Sequence, residues 1–313
     1  LKPGDEVIVP AVSWSTSYTP LQQYGLKLKF VDIDIDTLNY NLDDLSDAVT
    51  NKTKLILIVN ILGNPNDFFR IEKIINGRDI ILVEDNCESL GAKFNNKMTG
   101  TFGKLGTFSF FYSHHMSTME GGMICTDNRE LYDILLSLRA HGWTRNLDES
   151  NLICKKSNNL FNESFRFILP GYNMRPLEFS GSIGIIQLSK LNGFLKQRKR
   201  NYLKFKEVFN SDERFLIQKE IGESSWFGFS LILNDNKLKR EDILKKFEEY
   251  KIEYRPIVSG NFVKSESLKY YNYEVFGKMK NAEYLDKNGF FIGNHHYDLS
   301  DEFEMLKKAI KSL

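Results

Sequence analysis

Apolar residues along this chain fall into short unbroken runs separated by amphipathic stretches. EVIVP (6–10), KLKFVDI around residue 30, KLILIVN (54–60), DIILVED (79–85) and GTFSFF (106–111) read as strands. Several are apolar throughout rather than alternating, the pattern of strands covered on both faces of a parallel sheet. Between them, 14–24, 42–49, 67–76 and 129–140 carry helical periodicity. This strand–helix alternation predicts an α/β fold with a mainly parallel sheet and right-handed crossovers. The pattern changes near residue 175. PLEFSGSIGIIQLSKLNGFLKQRKRNYLKFKEVF places Leu, Ile and Phe at three- and four-residue spacing, as in one or two long helices. Beyond it come a strand (WFGFSLIL), a Lys/Glu-rich helix (239–249), a short strand (IEYRPI) and two helix candidates around FFIG. The expected organisation is a large domain over 1–191 and a smaller α+β domain over 192–313.

A chain of 313 residues, 42% hydrophobic, is long enough for one large or two linked domains. Its 42 Lys+Arg against 41 Asp+Glu, a net charge of +1, give no electrostatic case for nucleic acid or an anionic membrane as partner. The apolar runs are strand-sized, too short to span a bilayer, and no charged-then-apolar leader precedes the first strand. Cys87, Cys125 and Cys154 are scattered and lack a C-x-x-C spacing, which argues against a disulfide framework or a structural metal site. A cytoplasmic setting is the expectation. The chain begins at LKPGDEVIVP without Met, so part of the natural N-terminus is expected to be missing.

In open parallel sheets, ligands sit beyond the carboxyl ends of the strands. Those ends carry Asn60, the Glu84-Asp85 pair and the segment from Ser109 to His115. A carboxylate at the inner end of a buried strand needs a partner; Asp85 either serves a site or caps the turn NCESLG. His114-His115 has three readings: a loop pair with one ring packed, a metal site, or a general base. The metal reading is the weakest, because neighbours on extended chain point to opposite faces and no third ligand is near. Imidazole suits acid–base work near neutrality. A second pair, His295-His296, has no sequence feature bringing it close.

From residue 1 to about 200, and more loosely to the end, the chain resembles the DegT/StrS-type sugar aminotransferases. The matching stretches include LKPGDEVIVPAVSWSTS, VEDNCESLGAKFNNKMTGTFGKLGTFSF, EGGMICTDN, LRAHG and GYNMRPLEFSGSIGIIQLSKL. That resemblance implies the fold-type-I architecture of pyridoxal-phosphate-dependent (aspartate aminotransferase-like) transferases and a homodimer with shared active sites. By its roles, Asp85 would keep the pyridine nitrogen protonated, Trp14 would stack on the ring and Ser109 would contact the phosphate. Asn173 would reach the phosphate of the neighbouring subunit.

One departure changes the expected chemistry. The family's imine-forming Lys lies five residues beyond that Ser, and here the position is His114. Imidazole has no primary amine, so the cofactor would be held noncovalently and could remain as pyridoxamine phosphate. The same replacement marks the sugar 3-dehydratase branch of the superfamily, similar to the colitose-pathway enzyme acting on GDP-4-keto-6-deoxymannose. The implied reaction joins the cofactor's amine to the 4-keto group of a nucleotide-linked 6-deoxyhexose. His114 acts as base, the 3-hydroxyl departs, and glutamate restores the amine. Glu88 stands where transaminases of the group commonly have Gln near the ring's phenolic oxygen, so it is expected to be protonated or to bond elsewhere. His115 is expected to orient the loop. His141, Arg175 and Arg255 are candidates for the diphosphate or sugar, each with a surface ion pair as the plainer reading. The alternatives are an aminotransferase using Lys104, and a non-catalytic binding remnant, since the family's N-terminal phosphate-binding turn is not in this sequence.

Overall fold

The computed structural model describes residues 1–235 and 237–313. The first part builds β1 (Glu6–Pro10), α1 (Ser15–Gln23), β2 (Lys27–Val31), α2 (Leu42–Ala48), β3 (Thr53–Val59), α3 (Phe68–Ile75) and β4 (Ile81–Asp85). A small hairpin, β5 (Lys93–Phe94) and β6 (Lys97–Met98), precedes β7 (Leu105–Ser109), β8 (Gly122–Cys125), α4 (Arg129–Leu138) and α5 (Leu160–Ser164). One 32-residue helix, α6 (Glu178–Phe209), follows. The remainder forms β9 (Phe215–Leu216), β10 (Gly228–Leu233), α7 (Arg240–Glu249), β11 (Tyr254–Arg255), β12 (Tyr273–Val275), α8 (Lys280–Asn288), β13 (Gly289–Gly293) and α9 (Ser300–Lys311).

The main sheet runs β12-β2-β1-β3-β4-β7-β8, parallel except for β8. Its apolar strands are covered on both sides by separate clusters. Val7, Val9, Leu28, Phe30 and Leu57 point to one, and Ile8, Val31, Ile56 and Ile58 to the other. That two-sided burial is why these strands read as continuous apolar runs. Helix starts follow local chemistry: Asn41, Asp67 and Asn128 each accept main-chain N–H groups of the turn they cap.

The three-residue strand β12 has no sequence signature and returns from far along the chain to pair with β2. Glu274 on β12 pairs with Lys27 and, at 3.0 Å, with the buried Lys29, which also meets Glu6 at 2.8 Å. This charge network ties β12 to β2 and β1, and Thr53 on β3 donates to Glu6. Asp32 reaches across to accept the N–H groups of Asn281 and Ala282 at the start of α8.

A second, antiparallel sheet, β11-β13-β10-β9, packs with α6, α7 and α9 around Phe205, Trp226, Phe229 and Phe290. FFIG is itself the strand β13, with α8 and α9 on either side. The boundary expected at 191/192 falls inside α6, which runs unbroken through it.

Candidate active site

The site forms at the carboxyl end of β4, where Glu84 and Asp85 part company because successive side chains of a strand face opposite ways. Glu84 is fully buried and accepts main-chain N–H groups of Gly100, Phe102 and Gly103 at 2.6–2.7 Å. It is therefore a fastener for the 100–103 loop. Asp85 faces the other way and is half-buried. One carboxylate oxygen accepts the Cys87 N–H at 3.1 Å, and the other accepts the Ser17 hydroxyl at 2.7 Å. Turn capping and an outward-facing carboxylate thus coexist in one side chain. Asn60 is buried and holds neighbouring loops, bonding Asn86 and Asn66.

Ser17 lies in the first turn of α1, whose preceding residue, Trp14, is 60% exposed. Sequence reading passed over Ser17, although its four-residue spacing from Ser13, to which it bonds at 2.8 Å, is a helical pattern. Glu88 accepts the Leu62 N–H at 2.8 Å, and burial, reinforced by the nearby Asp85 charge, pushes its carboxyl up to about 7. Glu88 is thus bonded to a main-chain N–H and partly protonated near neutrality. Ser109 ends β7 and accepts the Phe111 N–H.

Beyond β7 the chain turns through Phe111–His115. The half-buried His114 ring lies 5.2 Å from the Phe227 ring and 6.0 Å from that of Phe111. Its Nδ1 is buried with no partner among the described residues. Burial drives its pKa down to about 4, with Asp85 pulling upward and Arg198 downward. His115 is buried, and its Nε2 meets the Ser225 carbonyl at 3.0 Å. Both rings keep a buried Nδ1 without a partner among the described residues, and the pair differs in that His115 alone is bonded, through its Nε2. No group of three or more His, Cys, Asp or Glu gathers among the described residues.

The charge of Arg198 acts on the second pair, His295-His296, as it acts on His114 and His115. Nothing in the sequence signals this, because 84 positions separate Arg198 from His114 and 97 from His295. Asn173, His141 and Arg175 gather elsewhere. Asn173 bridges to Ala140, His141 donates its N–H to the Tyr172 carbonyl at 2.7 Å, and Arg175 donates to Asn173 at 3.3 Å. Asn173 and Arg175 are exposed, as is Arg255 on β11. Lys104 sits at the amino end of β7, roughly 15 Å along the strand from the His114 loop.

Residues 1–304 match the model of the DegT/DnrJ/EryC1/StrS aminotransferase family. The chain belongs to this family. Its mostly parallel sheet is the aminotransferase fold of that family, and the site occupies the sheet's carboxyl edge. Among its members, a GDP-4-keto-6-deoxy-D-mannose 3-dehydratase of Escherichia coli O55:H7 is 58% identical over 99% of this chain and 81% of its own length. A counterpart of the same name from Yersinia pseudotuberculosis is also 58% identical, over 99% of this chain and 80% of its own. A solved structure of the E. coli enzyme with bound hydrated PLP superposes with a TM-score of 0.97, covering 99% of this chain and 80% of that one.

Proposed function

We propose that this chain is a 3-dehydratase of a nucleotide-linked 4-keto-6-deoxyhexose, working with pyridoxal and pyridoxamine phosphate. The observation that carries the reading is an imidazole with an unpartnered nitrogen, where an aminotransferase has its lysine, acted on by the charge of Asp85, which has no cationic partner among the described residues. The donor set suits a pyridinium ring: Asp85 has hydroxyl and main-chain donors only, and Trp14 offers an uncovered aromatic face. The GDP-sugar named for the relatives, at 58% identity, supports GDP-4-keto-6-deoxymannose as the substrate.

When bound, the cofactor supplies an amine for the keto carbon and a ring that takes up negative charge. Asp85 holds the ring nitrogen's proton, Trp14 covers the ring, and Ser109 receives the phosphate. His114, unprotonated at neutral pH, takes a proton from the cofactor's methylene carbon and delivers it to the departing 3-hydroxyl oxygen. Glu88, titrating at about 7, can face a phenolic oxygen without lasting repulsion. His141, Arg175 and Arg255 are read as sugar-nucleotide contacts, and glutamate as the amino donor. No described helix is long and apolar enough to cross a membrane, and three free thiols suit a cytoplasmic enzyme.

The test incubates the protein with GDP-4-keto-6-deoxymannose, pyridoxal phosphate and glutamate, and reads products by mass. A sugar one oxygen lighter is expected. A product that has gained an amino group, or a cofactor fixed to lysine by borohydride, refutes the reading in favour of an aminotransferase.

The partner is proposed to be a second copy. Phe179, Ile185, Ile186 and Leu188 on the first half of α6 are 55–72% exposed, and Met174 and Leu177 beside them 62% and 70%. So large an apolar surface calls for a cover, and it adjoins Asn173, the residue expected to serve a neighbour's site. Ile185→Glu is expected to yield a monomer by light scattering with sharply reduced activity; a dimer unaffected by it counts against this face.

A further inference from the structure

Arg198 stands in the middle of α6, 3% exposed, and no acidic group among the described residues offsets its burial, which lowers its pKa to about 10. Its Nη1 donates to the carbonyls of Asn294 at 2.9 Å, Phe227 at 3.1 Å and Trp226 at 3.4 Å, and its Nε has no partner. Those carbonyls belong to the chain that enters β10 and the chain that leaves β13. The first of them is the wall of the site. Ser225 accepts the His115 ring, the Phe227 ring packs on both histidines at 5.2 and 5.9 Å, and Phe227 donates its N–H to the Leu62 carbonyl beside Glu88.

Holding carbonyls does not require a cation. Asn294 donates its neutral amide to the same Trp226 carbonyl at 2.8 Å, and Asn201 bonds three neighbouring acceptors in the same way. A buried charge without a counter-ion is costly, so a guanidinium used only as a clamp is a poor solution where an amide suffices. We propose that Arg198 is a positioning residue for His114: it anchors the Trp226–Phe227 backbone on which both imidazoles rest and presents a fixed positive charge to them. This rests on reading His114 as the base. The charged groups acting on that ring are Asp85 from the end of β4 and Arg198 from α6, with opposite signs. His115 on the same loop and His295 and His296 after β13 face Arg198 as well. A cation there disfavours the imidazolium, keeping the ring in the form that can accept a proton.

Titration of the full chain carrying nitrogen-15 histidine, followed by NMR, tests this without relying on turnover. The wild-type His114 ring is expected to protonate near pH 4. Arg198→Gln removes the charge, and the midpoint should rise. Arg198→Lys keeps the charge but shortens the reach to the three carbonyls, so the midpoint stays while kcat falls about tenfold with KM little changed. A wild-type ring titrating at its ordinary value, an unmoved midpoint in Arg198→Gln, or full kcat in Arg198→Lys each overturns the proposal. Should Arg198→Gln fail to fold, the wild-type titration and the Lys variant still decide. Histidine shifts as expected in a protein that does not dehydrate the sugar would fault the functional reading and leave the charge relation standing.

Discussion

His114→Asn is expected to lower kcat for dehydration by about 10²–10⁴-fold, the usual contribution of a positioned general base. Asparagine approximates the ring's reach and polarity but cannot accept a proton near neutrality. The ring it replaces packs near Phe111 and Phe227 and leaves its Nδ1 unpartnered among the described residues, so the fold should survive. The unfolding midpoint should therefore change little, and noncovalent cofactor absorbance should persist. The pH profile adds a check. With the ring held to about 4, the base form dominates through the neutral range, and the acidic limb of kcat/KM should lie well below pH 6.5. That limb should vanish in His114→Asn. A variant that dehydrates at the wild-type rate would remove His114 from the chemistry.

Asp85→Asn should cost about 10²–10³-fold in kcat, the scale for losing one preorganised electrostatic group. The amide oxygen still accepts the Cys87 N–H, which keeps the turn, and the amide nitrogen, in place of the second oxygen, can donate to the Ser17 hydroxyl instead. What it loses is charge, and the effects on its neighbours have definite signs. Asp85 raises the pKa of His114 and of Glu88, so its removal should move both downward. Glu88 would fall from about 7 and be more ionised at neutral pH. A basic shift in either titration, or unchanged turnover, would show that Asp85 is not the charge facing this site.

These two residues show how far local pattern reaches. Asp85 was legible because an acid closing an apolar strand is anomalous, and His114 because it stands at a lysine's place in a motif. The same run gave no sign that Glu84 serves the 100–103 loop, since that depends on where three N–H groups arrive from sixteen to nineteen residues away. Strand β12 was missed for a similar reason: three residues have no periodicity, and its pairing with β2 rests on Lys29, Lys27 and Glu274 meeting across the sheet.

By itself the sequence determined the elements, their α/β order and the chemical character of the strand ends, because periodicity and caps act over a few residues. Only the tertiary structure decided which side chains share a space. Ser17 reaches Asp85 from α1, and Phe227, its carbonyl held by Arg198, reaches both histidine rings; their meeting is set by packing of the sheets and α6. Contacts between residues far apart in the chain carry no local signature; they exist only once the layers have closed.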